Sequence, residues 1–156
     1  MPKKIDVTNQ FEANKLSIVI DITKPSNFLD QYLGYSMYVA NTTNDSIKFT
    51  AQDSRLNIKL QAKNNRGKWQ DIEYIPRSTC GNSYHTLNLE PNTYWSFSIP
   101  QYEGAIKTKM RAVLIYYNGK KSKKIYSNEI VTGINPGQFF NRLNYTPNGI
   151  MDPYNE

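Results

Sequence analysis

Two side-chain pairs in this chain have the residue types and spacing for chemistry. Cys80 and His85 stand five residues apart. A thiolate beside an imidazole is a nucleophile–base pair when a third group orients the base. Asp71 and Glu73 lie two apart in an alternating run, so a strand there presents both carboxyls on one face, as general acid–base work requires. Plainer readings compete with both. On a strand through SYHTLNL, His85 points with Leu87 and Leu89, which makes it a half-buried packing residue and Cys80 an incidental thiol. Two acids on an edge strand are most simply its solvated side. The other carboxylates of the thirteen are mostly isolated, and the sequence has one histidine, no calcium loop and no glycine-rich phosphate loop. The expectation is a non-enzymatic protein with no catalytic residues, cofactor or metal.

A third feature is charge. In LIYYNGKKSKKIYSNEI, residues 114 to 130, four lysines fall within five positions: Lys120, Lys121, Lys123 and Lys124. Tyr116 and Tyr117 lie close by, and Lys107, Lys109 and Arg111 on the preceding run extend the basic stripe. These six residues, Tyr116, Tyr117 and the four lysines, form the candidate binding surface. A specific nucleic-acid site needs charge drawn along a face together with stacking aromatics or a recognisable module. Lysines also guard hairpin tips and strand edges against aggregation, and the simpler reading is a solvated tip. Nucleic acid is not the expected partner.

Charge rises along the chain: residues 1–50 carry no net charge, residues 51–100 carry +2 and residues 101–156 carry +4. With twelve Tyr, six Phe and two Trp the composition suits sheets better than helices. Twelve tyrosines exceed what a core takes with every hydroxyl satisfied, so some belong on the surface. Trp69 and Trp95 are expected in the core. A length of 156 residues fits one domain able to form a core without staples. The single cysteine excludes an internal disulfide and leaves the compartment open. No apolar run approaches the ~18 residues of a membrane span. MPKKIDVTNQ lacks the apolar stretch of a secretion signal, so the setting is cytosolic, or extracytoplasmic with any leader absent. The extracytoplasmic setting, periplasm or cell surface, is the one preferred.

The elements that must position these residues are strands. Period-two alternation recurs in KLSIVIDIT, YSMYVAN, RLNIKLQAK, KWQDIEY, SYHTLNL, TYWSFSI, KTKMRAVLIYY and KKIYSNEIVT. In TYWSFSI it puts Trp95, Phe97 and Ile99 on one face. Turn chemistry separates the runs at NTTNDS, NNRG, EPNT and Asn118-Gly119; an Asn-Gly pair is a strong hairpin signal because both residues tolerate positive φ. NFLDQYLGY, residues 27–35, reads as a helical turn or a short irregular strand. The prediction is all-β: an antiparallel β-sandwich of about eight or nine strands over residues 1–133. Residues 134–156, rich in Pro, Gly and Asn, are expected to form an irregular tail pinned by Phe139 and Phe140.

Residues 56–132 resemble the fibronectin type III and related immunoglobulin-like sandwiches. LNIKLQAKNNRGKWQDIEY looks like that family's C–C′ hairpin, LEPNTYW like its tyrosine corner, and MRAVLIYYNGKKSKKIYSNEIVT like its F–G hairpin. Trp95 stands where the corner tyrosine is expected, and residues 93–99 read best as strand E with 107–117 as strand F. The resemblance implies an immunoglobulin-like architecture and a binding or spacing role. The function expected is therefore non-catalytic binding of a protein partner in a bacterial extracytoplasmic setting. The alternative is a carbohydrate-binding sandwich that uses exposed Trp and Tyr.

Overall fold

The computed structural model describes residues 1–6, 11–74 and 78–140. The chain is an all-β antiparallel sandwich. In chain order its strands are β1 (Lys3–Lys4), β2 (Leu16–Phe28), β3 (Tyr32–Asn41), β4 (Ile47–Gln52), β5 (Arg55–Leu56) and β6 (Ile58–Lys63). There follow β7 (Trp69–Asp71), β8 (Tyr84–Leu89), β9 (Thr93–Pro100), β10 (Ile106–Asn118), β11 (Lys121–Tyr126) and β12 (Ile130–Ile134). Three sheets result. The first runs β1-β9-β3-β2, the second β11-β10-β6-β7 with β12 also on β10, and the third β5-β4-β8. The count passes the expected eight or nine partly because β1 and β5 are two-residue pairings and β4 is a strand the alternating runs above do not include.

Alternation decides which side chains meet. Met37, Val39, Phe49, Leu60, Leu89, Ile99, Met110 and Leu114 belong to one buried cluster drawn from all three sheets. Their polar neighbours along each strand face outward, the pattern that pins strand register. Trp95, Phe97 and Ile99 all face this core. The indole of Trp95 meets Phe49 edge-on at 5.3 Å, and Phe49 lies 5.6 Å from Tyr116. These rings come from β9, β4 and β10, so one aromatic row joins the three sheets.

The turns carry the surprises. Residues 27–35 form neither a helical turn nor an irregular strand: β2 passes into β3 through a loop of Leu29, Asp30 and Gln31, the first two at φ 53° and 56°. The Gln31 N–H closes a turn on the Phe28 carbonyl at 3.3 Å, and positive φ at both central residues is the type I′ pattern, which usually takes Asn-Gly. At Asn118-Gly119 the reverse occurs. Asn118 stays in the ladder opposite Lys121, and only Gly119 (φ 62°) and Lys120 form the loop. A positive φ at the first central residue alone is the type II′ pattern, so the turn sits one residue later than an Asn-Gly loop.

KKIYSNEIVT is one run broken by a bulge. Val113 faces Tyr126 and Met110 faces Ile130, so Ser127, Asn128 and Glu129 oppose two residues of β10. The Ser127 Oγ replaces a backbone acceptor for the Ala112 N–H at 2.8 Å. The freed Asn128 amide turns to β2, accepting from the Ile20 N–H at 2.8 Å and donating to the Ile20 carbonyl at 3.0 Å. It thus does the work of a strand neighbour and ties the second sheet to the first.

Beyond β12 a short 3-10 turn, Pro136–Phe139, buries Phe139. Phe140 is 78% exposed, so the pin is one ring rather than two. Residues 141–156 of the expected tail lie outside the described residues. Gly104 and Gly133 let two segments touch at this end: a Cβ on Gly104 would sit 2.2 Å from the Ile134 carbonyl carbon.

Candidate functional site

Neither candidate catalytic pair assembles a site. Cys80 is exposed just before the 3-10 turn that leads into β8, and His85 is half-buried on the Leu87 and Leu89 face. Asp71 and Glu73 part company. Asp71, the last residue of β7, is half-exposed and bonded to Gln61 and Lys59. Past it the chain leaves the ladder, so alternation lapses: Ile72 and Glu73 are both buried. Glu73 is therefore not on the solvated side of an edge strand. Its carboxylate accepts from the Leu60 N–H at 3.0 Å and the Tyr102 hydroxyl at 3.2 Å. Burial pushes its pKa from the usual 4.5 up to about 7, against those two hydrogen bonds. No group of three or more metal-ligating side chains occurs among the described residues.

The lysine hairpin divides between two faces. By register Lys124 sits opposite Ile115 and Ser122 opposite Tyr117, whereas Lys123 sits opposite Tyr116 and Lys121 opposite Asn118. Tyr116 points inward and packs on Phe49, while Tyr117 is exposed on the outer face. Lys120 is in the loop. The six candidate residues thus do not form one surface, because strand alternation sends neighbours to opposite sides. None of the four lysines forms an ion pair among the described residues. Changing all four to glutamine is expected to shift stability by no more than about 1 kcal/mol, as for other exposed charges. Urea unfolding checks this, and a loss of several times that size would show that the lysines hold the hairpin.

What does assemble is the outer face of the five-stranded sheet, between β7 and β11. Trp69 is there rather than in the core, since it pairs with Lys63 across the β6–β7 hairpin, on the outward side of the alternation. The Arg111 guanidinium lies between two rings, 4.1 Å from the Trp69 centroid and 3.9 Å from that of Tyr126. Lys63 approaches the same indole at 5.1 Å. Below this stack runs a hydrogen-bonded chain: Arg111 Nε donates to Gln61 at 3.1 Å, and Gln61 donates to Asp71 at 2.8 Å. Asp71 also pairs with Lys59 at 3.3 Å. At the β12 end Lys109 meets Glu129 at 2.8 Å, and that bond lowers the Glu129 pKa.

Stacked guanidinium and rings are mutually attractive, and here they lock three planar groups across the sheet. Among the described residues, Lys59, Lys63, Lys107, Lys109, Arg111 and Lys124 share outward register, and the acids bonded to them are Asp71 and Glu129. Sequence spacing pointed to Lys107, Lys109 and Arg111 as an extension of the stripe. It missed Trp69 and Tyr126, whose outward parity follows only once the pairing register is known.

A second concavity lies farther along β10, where β4, β5 and β8 approach Lys59, Ile115 and Tyr117. Its volume is about 430 Å³. No protein-family model matches this chain, and no curated protein matches it.

Proposed function

We propose that this chain is a non-catalytic, immunoglobulin-like binding domain whose working surface is the outer face of its five-stranded sheet, and that it docks an acidic protein surface. The single observation that carries this reading is the Arg111 guanidinium held between Trp69 and Tyr126 on that face. Trp, Tyr and Arg dominate the energetics of protein interfaces. Groups already fixed in their bound geometry lose little entropy on docking. The excess of cations around the stack favours a partner of opposite charge. The immunoglobulin-like part is supported by the pairing of the β6–β7 hairpin with β10, and of β10 with β11, as the resemblance to C–C′ and F–G hairpins implies. A bacterial extracytoplasmic assembly is the setting proposed for such a module.

The test uses the chain as bait with a Trp69→Ala/Tyr126→Ala double variant as its control. A captured protein, purified and titrated at about 0.15 M salt, is expected to bind the wild type and to lose about 100-fold or more with the variant. Two anchors of hot-spot size account for a loss on that scale. Retention of the β-rich far-UV spectrum shows that the variant folds. Equal affinity for both chains would mean that the stack only braces the sheet.

The carbohydrate reading draws on a different observation, the tyrosine-rimmed cleft beside β10. It is argued next.

A further inference from the structure

The cleft of about 430 Å³ opens where the β4–β5 turn and the start of β8 approach Ile115 and Tyr117 of β10. Its size falls within the range of small-ligand sites. Ala51 and Leu56 are fully buried and supply an apolar floor. Tyr84 and Tyr117, 42% and 56% exposed, stand at the rims. Neutral hydrogen-bonding side chains, Thr50, Gln52 and Asn57, make up much of the wall.

Among the described residues the charge in the cleft has one sign: Arg55 and Lys59 line it and no carboxylate does. Lys59 is engaged by Asp71 on its other side. Arg55 has no ion pair among the described residues. It is delivered to the cleft by a turn whose central residues, Asp53 and Ser54, both have positive φ, 48° and 62°. The Tyr84 ring is fixed as well, its hydroxyl shared between the Ser78 carbonyl at 2.9 Å and Gln52 Oε1 at 3.2 Å.

The backbone around the cleft is already spoken for. β4 pairs on one side with β5 and on the other with β8, and the Asn57 carbonyl accepts from the Ile115 N–H at 3.0 Å. An extended peptide adding itself as a strand would find little to pair with here. Side-chain amides and hydroxyls, a tyrosine face and one guanidinium suit a different ligand. It carries several hydroxyls, an apolar ring face and a single carboxylate.

We propose that this cleft binds an acidic sugar residue of a glycan, with the carboxylate on Arg55. Ring hydroxyls bond Gln52, Asn57 and Thr50, and the apolar ring face lies against Tyr84 or Tyr117. The proposal goes beyond the protein-binding face, because neither Trp69 nor Tyr126 lines the cleft.

Calorimetric titration of the full chain at about 0.15 M salt, where screening acts beyond ~8 Å, tests it. The probes are tetragalacturonate, a hyaluronan tetrasaccharide, neutral cellotetraose and tetraglutamate. Saturable binding of at least one acidic saccharide is expected, with cellotetraose and tetraglutamate both weaker. Arg55→Gln and Tyr84→Ala should each weaken that binding about tenfold or more, the scale of one charge-assisted bond. Tyr84→Phe keeps the ring and guards against a folding defect. The Trp69→Ala/Tyr126→Ala variant should bind the sugar like the wild type, which separates this site from the sheet face. Absence of binding by both acidic saccharides overturns the proposal. So does equal binding of cellotetraose or tetraglutamate. Loss that follows the quadruple hairpin-lysine variant rather than Arg55→Gln would also overturn it, by moving the ligand to the tip.

Discussion

Trp95→Ala is expected to cost about 3–5 kcal/mol, the range for truncating a large buried aromatic. The indole is 3% exposed and meets Phe49 edge-on at 5.3 Å, and Phe49 in turn packs on Tyr116. Each ring belongs to a different sheet, so the cavity opens where the three sheets meet, and no single sheet can close it by shifting. Edge-to-face contact adds to the burial lost. Trp95→Phe keeps a ring against Phe49 and should retain most of the stability. Urea unfolding followed by far-UV circular dichroism measures both, with an unchanged slope showing that the denatured state is unaffected. A cost below about 1 kcal/mol, the size of a typical surface change, would mean that the sheets are held together elsewhere.

The Trp95 position was readable from sequence because a period-two pattern carries face information directly. Trp95, Phe97 and Ile99 alternate with Tyr94, Ser96 and Ser98, and only one face of an antiparallel sheet meets the core. Trp69 was not readable. KWQDIEY alternates as well, but its outward parity is set by pairing with Lys63, and register is a tertiary quantity. The turns through Leu29-Asp30 and Asp53-Ser54 were hidden for another reason. Their residues lack the Asn-Gly chemistry that positive φ favours, so packing of the flanking strands imposes the conformation.

The candidate site shows the same division. Lysines 120, 121, 123 and 124 are conspicuous in the sequence, yet alternation and the loop scatter them. Arg111, Trp69 and Tyr126 are distant in sequence and sit on three strands, yet the guanidinium lies about 4 Å from each ring. Local charge density is visible in a sequence, and convergence of separate strands is not. Ser-Asn-Glu at 127–129 lies between. It looked like part of a last strand, but it lies outside the ladder between β11 and β12, where the bulge turns Asn128 toward Ile20. That bond depends on β2 passing nearby, which no local pattern records.

The second large effect is a pH dependence centred on Glu73. Its carboxyl is 2% exposed and titrates near 7 rather than 4.5, chiefly because burial disfavours the charge. Bonds from the Leu60 N–H and the Tyr102 hydroxyl lower the value in part, and the charge of Asp71 raises it. A carboxyl with a raised folded-state pKa stabilises the fold most where both states hold the proton, below about 4.5. Between 4.5 and about 7 the unfolded chain releases that proton while the folded chain keeps it, so stability falls as pH rises. Above about 7 the loss is complete. At 1.36 kcal/mol per pK unit it amounts to about 3 kcal/mol. Glu73→Gln removes the titration yet keeps an oxygen to accept from Leu60 and a nitrogen that can donate to the Tyr102 hydroxyl. The variant should match the wild type near pH 4.5 and exceed its stability by a margin approaching about 3 kcal/mol at pH 8. Glu73→Leu is not equivalent, since it leaves the Leu60 N–H without its acceptor, at a cost of about 1–3 kcal/mol. Asp21, held low by its Thr23 hydroxyl bond, and Glu129, held low by Lys109, lose stability in the opposite direction, as pH falls. Both are common to wild type and variant, so the difference between two urea series at pH 4.5, 6 and 8 isolates Glu73. A difference that stays flat across that range would show that the buried carboxyl remains ionised throughout, with the Leu60 and Tyr102 bonds outweighing its burial.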